Sequence, residues 1–98
     1  MESYQLGYFV AVAEEGGFTA AAARLRLAQS ALSQAIRNLE GSVGAPLFER
    51  GRRGVTLTPA GSAFLPLARD VLARMKRAAD AAREAGSGEV GTLCVAAI

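Results

Sequence analysis

The sequence contains no histidine, no tryptophan and one cysteine, Cys94. With no histidine and a single thiol, neither a disulfide framework nor an ordinary zinc site of Cys and His ligands forms within one chain. A Ser–His or Cys–His nucleophilic pair is excluded on the same ground. The nine acids are scattered, and none of them pair in a way that reads as a general acid and base. Long apolar runs are missing as well: the stretch 8–13 is far too short to span a bilayer. Glu2 stands where the basic region of a signal peptide would place Lys or Arg. The composition therefore points away from an enzyme and from a membrane protein. No metal or cofactor is expected in this chain, and the expected location is cytoplasmic.

What is present is a folding sequence of 98 residues, with 51% apolar and 20% charged residues. A chain this short buries a modest share of its surface, so help from a partner chain fits its size. The net charge is only +2, but it is unevenly spread. Residues 1–23 carry three Glu and no base, whereas residues 24–53 carry six Arg against Glu40 and Glu49. Ten of the 11 basic residues are Arg, the side chain suited to bidentate phosphate contact. A basic middle stretch suits a polyanion, although such clusters are also common as solvated faces.

The apolar residues Leu6, Phe9, Val10 and Ala13 recur at helical spacing, predicting a helix over 6–15 that ends at Gly16-Gly17. Phe18-Thr19 reads as a new start, with Thr19 as cap and Phe18 as a hydrophobic staple. The Ala-rich segment 20–26 predicts a second helix. A third is expected over about 30–42, frayed by Gly41 and Gly44 and closed by Pro46. Two β-like runs, 47–50 and 55–58, flank Gly51-Arg52-Arg53-Gly54 and predict a hairpin. Thr58-Pro59 then reads as the capped opening of a long helix reaching about Ala85, stopped by Gly86-Ser87-Gly88. The final stretch 92–98 is β-like, with nothing in the chain to pair with.

Two helices joined by a short turn and followed by a basic hairpin is the layout of a winged helix-turn-helix. At about 100° per residue, Leu32, Ile36, Leu39 and Val43 of the third helix share one side and are expected in the core. Gln29, Ser30, Ser33, Gln34 and Arg37 share another side and offer only hydrogen-bonding or cationic groups. Such a face suits the base edges of a major groove, with Gln matched to adenine and Arg to guanine. An ordinary amphipathic helix with a wet face has the same pattern, so the helix alone does not decide. Arg50, Arg52 and Arg53 at the hairpin tip could likewise be a soluble loop. Both features in this order make double-stranded DNA the better partner, with the wing Arg on phosphates or in a minor groove.

The long helix carries Phe64, Ala68, Val71, Met75, Ala78, Ala82 and Ala85 at alternating spacings of four and three. That is a heptad stripe, the pattern of a coiled-coil seam. A helix of this length outruns a small domain, so its far end is expected to pair with a second copy. The seam assigned to a homodimer interface is Phe64, Ala68, Val71, Met75, Ala78 and Ala82. Packing of Phe64 and the residues after it on the chain's own core is the competing expectation.

The runs FTAAAARL (18–25), QSALSQAIRNLE (29–40), GAPLFER (44–50) and VTLTPAG (55–61) together resemble the DNA-binding domain of the LysR-type transcriptional regulators. The resemblance covers essentially the whole chain. It implies a mainly α fold, with a winged helix-turn-helix of three helices and a short β-hairpin wing, followed by a long linker helix that dimerises. It places that domain at 1–58, the helix-turn-helix at about 18–37 and the wing at about 47–58. The linker helix falls at 59–86, and 87–98 would be a hinge and the start of an effector domain. DNA contacts by Gln29, Ser30, Ser33, Gln34, Arg37, Arg50, Arg52 and Arg53 follow from it. So do a homodimer on a pseudo-palindromic operator, an inducer bound only by the effector domain, and a tetramer at full length. The family commonly has Ser where Ala28 stands and Pro where Ser30 stands, so a shifted start of the third helix is expected. Pro66 is a further departure, expected to remove one backbone bond and to favour a kink. Two alternatives share the layout: a molybdate-responsive winged-helix regulator, and a winged helix used for protein contact.

Overall fold

The computed structural model describes residues 1–88. Helix α1 (Ser3–Glu15) starts three residues before the predicted span because Glu2 and Gln5 cap it reciprocally. The Gln5 side chain turns back to accept the Glu2 backbone N–H at 2.8 Å, which leaves Gln5 buried without an orphaned amide. Gly16 closes α1 in the left-handed region (φ 76°), donating its N–H to the Val12 carbonyl at 2.9 Å.

Helix α2 (Phe18–Leu25) begins at Phe18 with Gly17 in the capping position, not Thr19 as expected. Phe18 is buried in the core, and the Thr19 hydroxyl faces Gln29 instead of its own helix. The turn to the next helix is made by Arg26, the one described non-glycine residue with positive φ (58°). The Leu27 N–H reaches back to the Ala22 carbonyl at 2.9 Å, which satisfies an end carbonyl that a longer helix would have used.

Helix α3 (Gln29–Val43) keeps its start at Gln29 despite Ala28. Ala28 takes the capping backbone position (φ −67°, ψ 142°) with no side-chain bond, so the expected shift does not occur. Leu32, Ile36 and Leu39 are buried as expected, but Val43 is exposed: the helix passes through Gly41, and its last turn projects past the core before Gly44 (φ 89°) ends it.

Strands β1 (Phe48–Gly51) and β2 (Gly54–Leu57) form an antiparallel hairpin, with Phe48 opposite Leu57 and Gly51 opposite Gly54. Only Gly54 of this turn has positive φ (112°), so Arg52 and Arg53 occupy the tip without left-handed strain. The strands sit one residue from the predicted runs, and at their base the Thr58 N–H still donates to the Leu47 carbonyl at 3.1 Å. Thr58 accepts the Gly61 N–H at 3.0 Å through its hydroxyl and donates that hydroxyl to the Pro46 carbonyl at 2.7 Å. It thereby caps helix α4 (Pro59–Gly88), with Pro59 at the first helical position as the sequence predicts.

Helix α4 runs through Pro66 and also through Gly86, past the predicted stop. Single glycines cost a helix only about 1 kcal/mol each, and the preceding run is rich in Ala and Arg. The expected strand at 92–98, with Cys94, lies outside the described residues. At 1.5 Å per residue α4 is about 45 Å long. The molecule measures 57 × 25 × 19 Å, so the distal half of the helix extends beyond the globule.

The core lies where the first three helices, the wing and the near half of α4 meet. Phe9, Val12, Leu32, Leu39 and Leu47 are all fully buried there. The Phe9 ring sits 5.1 Å from both Phe48 and Phe64, tying α1 to the wing and to α4 with one side chain. The fold is thus mainly helical with a two-stranded wing, as expected.

Candidate nucleic-acid interface

The exposed polar face of α3 and the Arg-tipped wing are set against each other by contacts that begin in the α1–α2 turn. The Val55 N–H of β2 donates to the Gly16 carbonyl at 3.2 Å, and a Cβ on Gly54 would fall 2.7 Å from that same oxygen. Only glycine at this point lets the wing close on the turn. From β1, the Arg50 guanidinium lies over the Phe18 ring, 4.2 Å from its centre, so the wing grips the start of α2 by a cation–π contact.

These contacts bring Arg50 and Gln29 into one groove. It has a volume of about 440 Å³ and is lined by Gly17, Phe18 and Thr19 of the α2 start, Gln29 of α3, and Arg50 and Val55 of the wing. Arg50, Arg52 and Arg53 also share a concavity on the wing itself with Glu49 and Thr56. Of the residues predicted on α3, Gln29, Ser30, Gln34 and Arg37 are exposed, and Ser33 is half-buried. Gln34 and Arg37 are joined directly by a bond from the Arg37 Nη2 to the Gln34 Oε1 at 3.1 Å. Gln34 Nε2 in turn donates to Asn38 Oδ1 at 3.0 Å. Asn38 is a residue the sequence reading passed over, and its position one turn after Gln34 was the signal for it. Thr19, expected as a cap, instead donates its hydroxyl to Gln29 Oε1 at 3.4 Å from the preceding helix.

Glu40, on the inner side of α3, sets the base of the wing. Its Oε2 accepts the N–H of Leu47 at 2.8 Å and that of Phe48 at 3.3 Å. At the end of α1, Glu14 accepts from Arg24 at 2.9 Å and from Arg69 at 3.1 Å, linking α1 to α2 and α4. The Arg24 bond first, and then the Arg69 bond, hold the Glu14 carboxyl below its ordinary value.

The six seam residues separate into two groups. Ala68 is 2% exposed within this chain's own core and Phe64 packs on Phe9, so both are occupied by intramolecular packing. Val71, Met75, Ala78 and Ala82 are exposed. Leu67, outside the predicted stripe, is 65% exposed and borders an apolar hollow with Met1, Leu6 and Val71. Among the described residues no group of three or more His, Cys, Asp or Glu could hold a metal ion. No described helix is long and apolar enough to cross a membrane.

A family model described as "Bacterial regulatory helix-turn-helix protein, lysR family" matches residues 4–62. The chain belongs to this family of bacterial winged-helix regulators. The HTH-type transcriptional regulator TfdT of Cupriavidus pinatubonensis is 50% identical over 93 residues, 95% of this chain and 41% of that protein. TcbR of Pseudomonas sp. strain P51 is 47% identical over 96 residues, 98% of this chain and 33% of that protein. The chain thus spans well under half the length of these relatives. Among solved structures, the BenM DBD/catB site 1 DNA complex matches with a TM-score of 0.87 and 43% identity, over 91% of this chain and 100% of that one. The CbnR DBD–DNA complex matches with a TM-score of 0.83 and 46% identity, over 87% and 98%. These matches set the molybdate-responsive alternative aside.

Proposed function

We propose that this chain is the DNA-binding part of a LysR-type transcriptional regulator and binds double-stranded DNA sequence-specifically as a homodimer. The observation that carries the reading is the groove in which Gln29 of α3 and Arg50 of the wing converge, flanked by Arg52 and Arg53. In this reading α3 enters a major groove. There Gln29, Ser30, Ser33, Gln34 and Arg37 meet base edges or phosphates, and Arg50, Arg52 and Arg53 hold the flanking backbone or minor groove. The role is binding without catalysis and without a cofactor, exerted on chromosomal DNA in the cytoplasm.

The exposed apolar residues Leu67, Val71 and Met75 support pairing through α4, with Ala78 and Ala82 continuing the contact distally. Two-fold pairing presents two copies of α3 to one duplex, so the operator is a pseudo-palindrome. An inducer and a tetramer belong, in this proposal, to the remaining length that the relatives carry beyond the matched part.

Selection from a random duplex pool, followed by anisotropy titration across salt, tests this. The reading expects a recovered pseudo-palindrome whose affinity falls steeply as salt rises. Absence of DNA binding at low salt, with partner capture insensitive to loss of the wing Arg residues, would instead favour a protein-contact winged helix.

A further inference from the structure

We infer that Asn38 and Arg37 are positioning residues for Gln34, and that the amide they hold reads an adenine in the major groove; the inference rests on the DNA-binding reading above. Gln34 Nε2 donates to Asn38 Oδ1 at 3.0 Å, and Gln34 Oε1 accepts from Arg37 Nη2 at 3.1 Å. All three side chains are exposed on α3, three and four residues apart, where helix geometry makes neighbours of them.

A glutamine amide has two N–H donors and two lone pairs on its oxygen. The two neighbours use one of each, so one donor and one acceptor remain. Adenine presents N7 as acceptor beside an N6 donor, which this remaining pair complements. Guanine presents two acceptors, N7 and O6, and would set the amide oxygen against O6. The sense of the amide matters equally. An amide free to turn over brings its N–H either to adenine N7 or to thymine O4. Arg37 carries donors and no acceptor, so it bonds only to the oxygen end and sets the sense, and Asn38 Oδ1 then takes up one N–H of the nitrogen end and steadies the amide. Asn38 therefore contributes to base preference without touching DNA.

The 98-residue chain and its variants are incubated with one randomised duplex pool, and the bound fraction is sequenced. Gln34→Ala is expected to lose the adenine preference at one position in each half-site by about tenfold. Asn38→Ala should weaken the same position by about twofold, as suits a surface side-chain pair, while the thermal midpoint and salt slope stay at wild type. Asn38→Asp keeps an acceptor for Nε2 and should keep the preference, while its charge lowers affinity for every duplex alike. If Gln34→Ala removes a preference that Asn38→Ala leaves at the wild-type level, the positioning role is overturned and the DNA-binding reading stands. If the wild-type chain shows no base preference at any position, both fall together.

Discussion

Glu40 Oε2 lies 2.8 Å from the backbone nitrogen of Leu47, so the helix whose polar face we propose for base edges also holds the base of the wing. The same oxygen takes the Phe48 N–H at 3.3 Å, and Leu47 is fully buried. Glu40→Ala leaves a buried N–H without its acceptor, which costs about 1–3 kcal/mol. Glu40→Gln retains a neutral acceptor oxygen and should cost less than half as much. Urea unfolding of the three proteins checks the order. Equal stability of all three would mean that water replaces the carboxylate without loss.

Two glycines within helices should respond to alanine with opposite signs. A Cβ on Gly61 would lie 2.1 Å from the Leu47 carbonyl oxygen and 3.0 Å from Leu57 Cδ2, and backbone cannot rotate away. Gly61→Ala should therefore destabilise by about 2 kcal/mol despite the better helix propensity of alanine. Gly7, inside α1, has nothing within 4 Å of its ideal Cβ. Gly7→Ala should stabilise by about 0.5–1 kcal/mol. Thermal midpoints measured side by side decide the matter, and a shared sign would contradict the packing of α4 on the wing.

The Glu14 carboxyl is held low by Arg24 and Arg69, which gives stability a defined dependence on pH. Because the folded value is depressed, the contribution is fully present above the unfolded value and is lost as pH falls through the folded one. Its ordinary value is 4.5, so the loss falls below that pH. Glu14→Gln should lower the midpoint at pH 7, and the gap from wild type should close in acid. All three groups are substantially exposed, so the effect is small and shrinks at high salt. A gap independent of pH would assign the effect of the substitution to packing.

The wing and the helix should fail differently on DNA. Arg52→Ala/Arg53→Ala removes two cations at a tip built to carry them, and affinity should drop uniformly across sequences. The slope of log affinity against log salt should flatten by about two if both meet phosphates. Ser33→Ala should leave the slope unchanged and relax preference at one base by about 1 kcal/mol. Titrations on matched and mismatched duplexes at three salt concentrations separate the two. Identical behaviour of both variants would mean that the faces are wrongly assigned.

The sequence disclosed the helices, the wing and the polar face of α3, because each carries a periodic or turn signal within a few residues. It was silent where the backbone does something unusual for its residue type. Arg26 turns α2 into α3 at positive φ with no glycine to announce it, and Ala28 starts α3 without a cap. Contacts across distance were equally hidden. Arg50 over Phe18 joins residues far apart in the chain, and Glu40 to Leu47 crosses from a helix to a strand. In α4 the heptad stripe took Ala68 for a seam residue, because spacing alone does not tell which flank of an apolar stripe the chain itself covers. The core takes Phe64 and Ala68, and Leu67, one position away, is left outside.

That division of α4 determines where a charge should disrupt pairing. Met75 is 50% exposed and lies beyond Leu72, the last residue of α4 packed against the core, and it has no role in that core. Met75→Lys should therefore leave the monomer fold and its thermal midpoint at low concentration unchanged. In a homodimer seam the two lysines would lie close to one another or against apolar side chains, and association should weaken by about tenfold or more. Ala68→Lys, by contrast, should unfold the domain, because it buries a charge beside Phe64 and Leu72. Sedimentation equilibrium over a range of concentrations reads the first effect and circular dichroism the second. A Met75→Lys chain that keeps the wild-type dimer mass would move the interface off this face of α4, and the operator symmetry argued from it would then need another source.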